Sequence, residues 1–427
     1  MFGKGALIIV MGAVIIFSLY QLKLNRSVLS TTDNFNRQFT RTSIEAASQS
    51  AMNYAINDVL NNGSVDKSYF IYSTAGTTSV NIKSLSGGDS VRASVVTQAK
   101  VVDEFDADKY TYIQDSIVAL FNNQVSMSQY GWWSDNENGV FWVTGDTCFG
   151  RLHSNSMIHT SGSPVFMKKV TSSLGINPSV KHSSAVFKGG YEKVPDVAMP
   201  TNMTPLENLA TSGNGAAAVN TKCLYDQVLE LDFIADGRVG RTIGGVTDTV
   251  LVTDIAPTGV IWDSQNIRVK GTLDGGVTIL SDQDIYIDDD ILMADNPETH
   301  PLSNDVLGLV ARNDIFVTNN TANNTDCVIQ AGICALSGSF QAEDATSRGP
   351  AGTLTLYGSI AQKKRGPVGN FTSSHGHIVL QNGFWKNYHH DKRFDPDYAG
   401  DPNVNSINPP GYPTLQGDGF SLVYWWE

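Results

Sequence analysis

The stretch from Gly5 to Tyr20, "GALIIVMGAVIIFSLY", carries no charge and one strongly polar side chain, Ser18. As a helix it rises roughly 24 Å, a little less than the ~30 Å hydrocarbon core of a bilayer. Gln21, Leu22 and Leu24 extend it, and Lys23 and Arg26 are placed to snorkel to the interface. A secreted chain would follow such a run with small residues in an A-x-A-like pattern. Tyr20-Gln21-Leu22-Lys23 stands there instead, which argues against removal as an ordinary signal. The membrane-anchoring side chains are therefore expected among Leu7, Ile8, Ile9, Val10, Val14, Ile15, Ile16 and Phe17.

Helical spacing continues beyond the apolar run. Val28, Leu29, Phe35, Phe39, Ile44, Ala47, Ala51, Tyr54, Ala55, Val59 and Leu60 recur mostly at steps of three and four. No proline precedes Pro164, and the first strong stop is Asn61-Asn62-Gly63, suited to a left-handed helix end. The pattern predicts one helix over about 55 residues, on the order of 85 Å long. The Ser/Thr/Asn-rich patch at 30–36 is expected to bend or loosen it. Phe35, Phe39, Ile44 and Ala47 are expected to face protein.

A short basic leader ending in glycine, then an apolar helix that turns amphipathic, resembles type IV pilin-like proteins, in particular the PilX-type N-terminus. The resemblance implies cleavage between Gly5 and Ala6, and use of the helix first in the membrane and then in a filament core. Most pilins carry glutamate at the fifth mature position, where this chain has Val10. That departure points away from a major subunit. Residues 140 to 427, with "GRLHSNSMIHTSGSPVFMKKVTSS" and "GVTILSDQDIYIDDDI", are similar to a bacterial envelope family attached to such N-termini. What this implies is location and company, not chemistry.

After the helix the sequence becomes strand-like. "VRASVVTQAKVV" is rich in β-branched residues, "YTYIQDSIVALFNN" suits a strand or a short helix, and "GVFWVTGDTCFG" reads as a buried strand. A small sheet packed on the helix stripe would satisfy both elements. Further on, "WDSQNIRV", "LSDQDIYI" and "VARNDIFV" share one frame: apolar, two variable positions, Gln or Asn, Asn or Asp, Ile, any residue, then Val or Ile. Single strands of this length bury too little, but stacked copies build a continuous core. Ile267, Ile285 and Ile315 are expected in one inward column. The Asn or Asp before each suits a bend and a side-chain ladder.

The expected fold is α+β, with a long N-terminal membrane and packing helix, a small pilin-like sheet region, and a mainly parallel β-solenoid-like domain. The divisions fall at 1–5 (leader), 6–62 (helix), 63–140 (strand-rich region) and 141–427 (solenoid-like domain with tail).

Chemistry is harder to find. The net charge is −13 with no basic stripe, which argues against nucleic acid as a partner. No HExxH, GxSxG or phosphate-loop pattern occurs, so no catalytic residue, metal or cofactor is expected. His153 and His159 read as positions on successive strands, with a metal pair as the alternative; "NYHHDKRFDPDY", with His389, His390 and Asp391, reads as a salt-bridged loop end, with a ligand site as the alternative. Asp288-Asp289-Asp290 reads as a turn after "IYI", with calcium or acid–base work as the sharper alternatives. Cys148, Cys223, Cys327 and Cys334 include no CxxC pair; Cys327 and Cys334 form a disulfide candidate outside the cytoplasm.

The expected role is structural: a minor pilin-like or pilus-associated subunit, with an adhesive or assembly-priming part. Its partners would be other pilin-like subunits or the assembly machinery, the membrane through the helix, and a surface or glycan ligand of unknown identity. It would be anchored in the inner membrane with an extracytoplasmic domain, or built into an extracellular filament. The rival is a membrane-tethered carbohydrate-active enzyme on a β-helix, which would show two carboxylates about 5–10 Å apart beside aromatic platforms.

Overall fold

A computed structural model describes residues 2–63, 65–85, 90–212, 228–374 and 377–426. The chain divides into two compact units, Met1–Gln124 with Gln416–Glu427, and Val125–Leu415. The expected boundary near 140 thus lies inside the second unit. There, Tyr130–Asn136 already runs parallel to Pro350–Lys364 on one side and Arg151–Ser154 on the other. The C-terminal strand, Thr414–Trp426, joins the first unit's sheet and is not a tail of the second.

In the first unit, helix α1 runs unbroken from Phe2 to Asn62. It stops where Gly63 takes φ +58° and donates its N–H to the Val59 carbonyl at 3.2 Å, a left-handed cap that favours glycine. The Ser/Thr patch at 30–36 does not interrupt it. Thr31 and Thr32 turn their hydroxyls back onto the Ser27 and Val28 carbonyls at 2.9 and 3.0 Å, an arrangement the helix tolerates. Strands β1 (Lys67–Ser73), β2 (Gly76–Ser84), β3 (Ser90–Asp103) and β4 (Asp106–Ser126) form an antiparallel meander, and Thr414–Trp426 lies next to β4. The ambiguous segment "YTYIQDSIVALFNN" is therefore strand.

The helix meets this sheet along one stripe. Ile44, Ala51, Met52, Ala55 and Val59 are buried, as are Val80, Ile82, Val91, Ala93, Val95, Ile117, Ala119 and Phe121 of the strands. Ser48 lies in the same stripe and donates to Thr97 Oγ1 at 2.7 Å, which bonds Thr78 Oγ1 at 2.9 Å, so the buried hydroxyls satisfy one another. Phe35 and Phe39 depart from expectation: they stack on each other at 6.2 Å and are exposed. The buried stripe begins only at Ile44, beyond them.

The second unit is built mainly from parallel strands, with two antiparallel exceptions among the described residues: the meander Leu229–Ile234, Arg238–Ile243 and Val246–Leu251, and the hairpin Gly369–Ser374 with His377–His390. Ile267, Ile285, Ile315 and Phe340 are successive partners, and Val269, Ile287, Val317 and Ala342 form a second column; all are buried. Between the columns Arg268, Tyr286 and Phe316 turn outward. Tyr286 stacks on Phe316 at 5.2 Å, with the Arg268 guanidinium 5.0 Å from the Tyr286 ring centre. A further run of parallel pairings joins Val260–Asp263, Gly276–Ser281, Val306–Ala311, Cys327–Ala335 and Pro350–Lys364. Its inward side chains share the main core with the isoleucine columns. Val260, Leu280, Val310, Cys334 and Ala361 on the other face are covered by Leu206 and Ala210 of helix α2 (Thr204–Thr211), with Tyr412.

The polar position of the repeat forms the expected ladder. The Asp284 amide donates to Asn266 Oδ1 at 3.0 Å, Asp314 to Asp284 Oδ1 at 3.0 Å, and Ser339 to Asp314 Oδ1 at 2.7 Å. Each side chain thereby satisfies the backbone donor of the next strand. Within the second unit, the strand order departs from chain order at the strand Tyr130–Asn136. Trp132 and Trp133 pair with Ile360 and Ala361, so the first strand of the unit lies against a late one. The strands Arg151–Ser154, Val170–Ser172 and Tyr191–Lys193 then continue outward in parallel.

Two outcomes follow from this arrangement. Replacing Ile285 by Ala should cost about 2–5 kcal/mol, whereas Tyr286→Ala should cost about 1 kcal/mol; urea unfolding of the two variants makes the comparison. Burial raises the Asp314 carboxyl above its ordinary range, the Ser339 amide opposes this, and the Asp284 charge adds to the rise. A raised native pKa gives stability that is full below the unfolded value near 3.9 and is lost as pH climbs through the native value. The stability difference between Asp314→Asn and the parent should therefore move in the variant's favour over that window. A constant difference across a pH series of unfolding curves would contradict the ladder's electrostatics.

Candidate functional site

The first candidate is the apolar half of α1. Ala6–Asn62 contains a stretch long and apolar enough to cross a membrane, and none of that stretch is buried by the rest of the chain. Leu7, Ile8, Ile9, Val10, Val14, Ile15, Ile16 and Phe17 are all exposed, so in water this surface would have no cover. Gly5 and Ala6 lie within the continuous helix.

The second candidate is a cleft of about 680 Å³ in the second unit, lined chiefly by segments 139–146, 365–372 and 385–388, beside the seam where Tyr130–Asn136 meets Pro350–Lys364. Under it lies a buried ion pair. Arg365 Nη1 stands 2.7 Å from Glu137 Oε2, and both side chains are at most 3% exposed. Trp132 and Trp142 donate their indole N–H groups to Glu137 at 3.0 and 3.1 Å, and the Ser134 hydroxyl donates to Glu137 as well. The guanidinium lies 5.0 and 4.4 Å from the Trp132 and Trp142 ring centres. A buried carboxylate needs such a full set of donors, because an unpaired charge there is costly.

Closer to the opening, Lys386 Nζ pairs with Asp146 Oδ1 at 2.9 Å. Burial pushes the Lys386 ammonium down from its ordinary range, and the Asp146 charge opposes this. Tyr388 stacks beside Trp132 at 6.4 Å, its hydroxyl buried without a partner, and burial pushes its pKa up. Trp385 and Phe371 meet at 5.0 Å.

Two stretches singled out in the sequence reach this cleft, "NYHHDKRFDPDY" through Tyr388 and "GVFWVTGDTCFG" through Phe141 and Asp146, but the buried ion pair under it has no sequence signal. Glu137 and Arg365 are 228 positions apart and share no motif, so only the seam brings them together. The aromatic run "GVFWVTGDTCFG" has the composition of a buried strand. It is two short strands, Phe141–Val143 and Thr147–Cys148, with an exposed Phe141 and a buried Trp142.

The residues singled out in the sequence fall elsewhere. His153 is buried between Thr171 Oγ1 and Asn155 Oδ1, both at 2.9 Å, and burial lowers its pKa. His159 lies in a separate sheet against Phe141. In the "NYHHDKRFDPDY" cluster, His389 stacks on Phe149 at 4.5 Å, and His390 is buried within 3.0 Å of the Ser128 carbonyl. Asp391 pairs with Arg393 at 2.7 Å.

Asp288–Asp290 forms no turn. The strand Ile285–Met293 runs straight through, and its register against the neighbouring strand slips so that Ile287 to Ile291 opposes Val269 to Gly271. Asp288 is held by Arg268, and Asp290 accepts the Val328 amide at 2.7 Å. No group of three or more potential metal ligands occurs among the described residues.

Cys148, Cys327 and Cys334 are free and buried. Cys327 and Cys334 lie in one extended strand, Cys327–Ala335. Seven residues of strand span roughly 23 Å, far beyond the ~7 Å reach of a disulfide between Cα atoms, so this pair cannot close. Burial pushes the Cys148 and Cys327 thiols up to about 12. Cys223 lies outside the described residues.

No protein-family model, curated protein or solved structure matches the chain.

The buried pair under the cleft gives a direct test. Arg365→Met leaves Glu137 without its cation and should cost about 3–5 kcal/mol in a denaturation experiment. The double variant Arg365→Met/Glu137→Gln should recover part of that loss; equal losses for the single and double variants would show that the pairing itself contributes little.

Proposed function

We propose that this chain is a membrane-anchored, pilin-like structural subunit of the bacterial cell envelope, whose second unit is a β-solenoid. One observation carries the reading. A single helix exposes apolar residues on every side between Leu7 and Tyr20, and then buries only one stripe, from Ile44 to Val59, against a small antiparallel sheet. The first half needs hydrocarbon or other helices around it; the second half needs only its own sheet. That division is what a pilin-like design requires, because the same helix serves as anchor and as scaffold. The parallel isoleucine and valine columns support the solenoid, since each strand covers the next and a long stack gains a continuous core.

In this reading the solenoid projects on the extracytoplasmic side, and the apolar helix half contacts other pilin-like subunits or the assembly machinery. Val10 in place of the usual glutamate favours a minor, adhesive or priming subunit over a major one. The enzymatic rival draws no support from the cleft carboxylates. Glu137 and Asp146 are each bound to a cation and to further donors, so neither stands free as a glycosidase carboxylate pair would.

Processing tests this proposal. Intact-mass analysis of protein taken from its native membrane should place the mature N-terminus at Ala6, and Gly5→Leu should leave the leader attached. Wild-type material retaining residues 1–5 would reduce the helix to a plain anchor.

A further inference from the structure

We propose that the seam cleft of the second unit binds a neutral oligosaccharide. The inference stands on that unit alone and goes beyond the subunit role, since it holds whether or not the chain is cut after Gly5. At about 680 Å³ the cleft falls within the roughly 300–1,000 Å³ of ordinary small-ligand sites. Three features of its lining select the ligand class.

Aromatic faces are on offer. Trp385 is 42% exposed and Phe141 48%, although rings of this size are normally covered. Both line the cleft, as does Phe371 beside Trp385. The C–H face of a pyranose ring is a flat apolar surface of matching size.

The charges are already spent. Both cations that line the cleft have carboxylate partners, Arg365 with Glu137 and Lys386 with Asp146. An anionic ligand would have to displace a carboxylate from a cation, at the cost of stranding a charge. This argues for a ligand without charge.

Neutral hydrogen-bonding groups remain. Tyr388 lines the cleft, and its hydroxyl has no partner within the protein, a deficit that a purely apolar ligand would leave in place. Asn370 and Thr372 add neutral donors and acceptors along the same lining. A ligand with an apolar face and a rim of hydroxyls meets all three conditions. Because both nearby carboxylates are fully engaged, the cleft holds such a ligand without cutting it.

The test uses the full chain in lipid nanodiscs, which avoids sugar-headed detergents. Cello-, chito-, manno- and malto-hexasaccharides are titrated while tryptophan fluorescence and binding heat are followed, with polygalacturonate as an acidic probe and an apolar extended peptide as a strand-like probe. Saturable binding of at least one neutral hexasaccharide is expected. Trp385→Ala should weaken it about tenfold or more, with Tyr388→Phe and Phe141→Ala weakening it severalfold at unchanged Tm. Absence of saturable binding by every neutral hexasaccharide overturns the proposal. So does binding indifferent to Trp385→Ala and Phe141→Ala, or a preference for polygalacturonate or the peptide that depends on Trp385.

Discussion

The structure depends on one helix that has to satisfy two different surroundings without a break. Between Leu7 and Tyr20 nearly every side chain is apolar and none is covered. From Ile44 onward, apolar contacts narrow to a stripe that the meander β1–β4 buries, with Ser48 bonded to Thr97 inside it. A loop or a proline between the two halves would uncouple them. The chain instead has Thr31 and Thr32, which bond back onto the helix and keep it continuous. Phe35 and Phe39 mark the transition, apolar but not yet covered by the sheet.

The second unit solves a separate problem by a separate means. Many of its strands bury little alone, so each covers the last, and similar β-branched residues stack: Ile267, Ile285 and Ile315 in one column, Val269, Ile287 and Val317 in the next. The Asn266–Asp284–Asp314 ladder ties successive strands at the point where each begins. Where the stack is joined out of chain order, the core contact is made by large side chains. Trp132, Trp142 and Arg365 assemble around Glu137, and that junction leaves the open cleft.

Much of this was legible in the sequence, and the parts that were not share a cause. Helix α1 and its stop at Asn62-Gly63 follow from local spacing and from one residue that tolerates positive φ. The isoleucine column follows from a repeat that can be aligned by eye. What failed depended on distant partners. Phe35 and Phe39 fit the helical stripe, yet their cover depends on where a sheet far along the chain ends. Asp288–Asp290 looked like a turn because three acids seldom fit inside a strand; Arg268 and the Val328 amide, both from other strands, make it possible. The ion pair under the seam cleft was invisible for the same reason, since Glu137 and Arg365 meet only after the whole unit has stacked.

In the proposed arrangement, α1 passes from an apolar environment into a protein-packed one along a continuous helix. Amide hydrogen exchange on the full chain, read by mass spectrometry with and without a lipid bilayer, measures this directly. Residues 7–20 should be strongly protected only in lipid, residues 44–59 protected in both conditions, and residues 27–40 fastest in both. Exchange of residues 7–20 in lipid as fast as that of 27–40 would mean that the apolar half of α1 is not held in the bilayer.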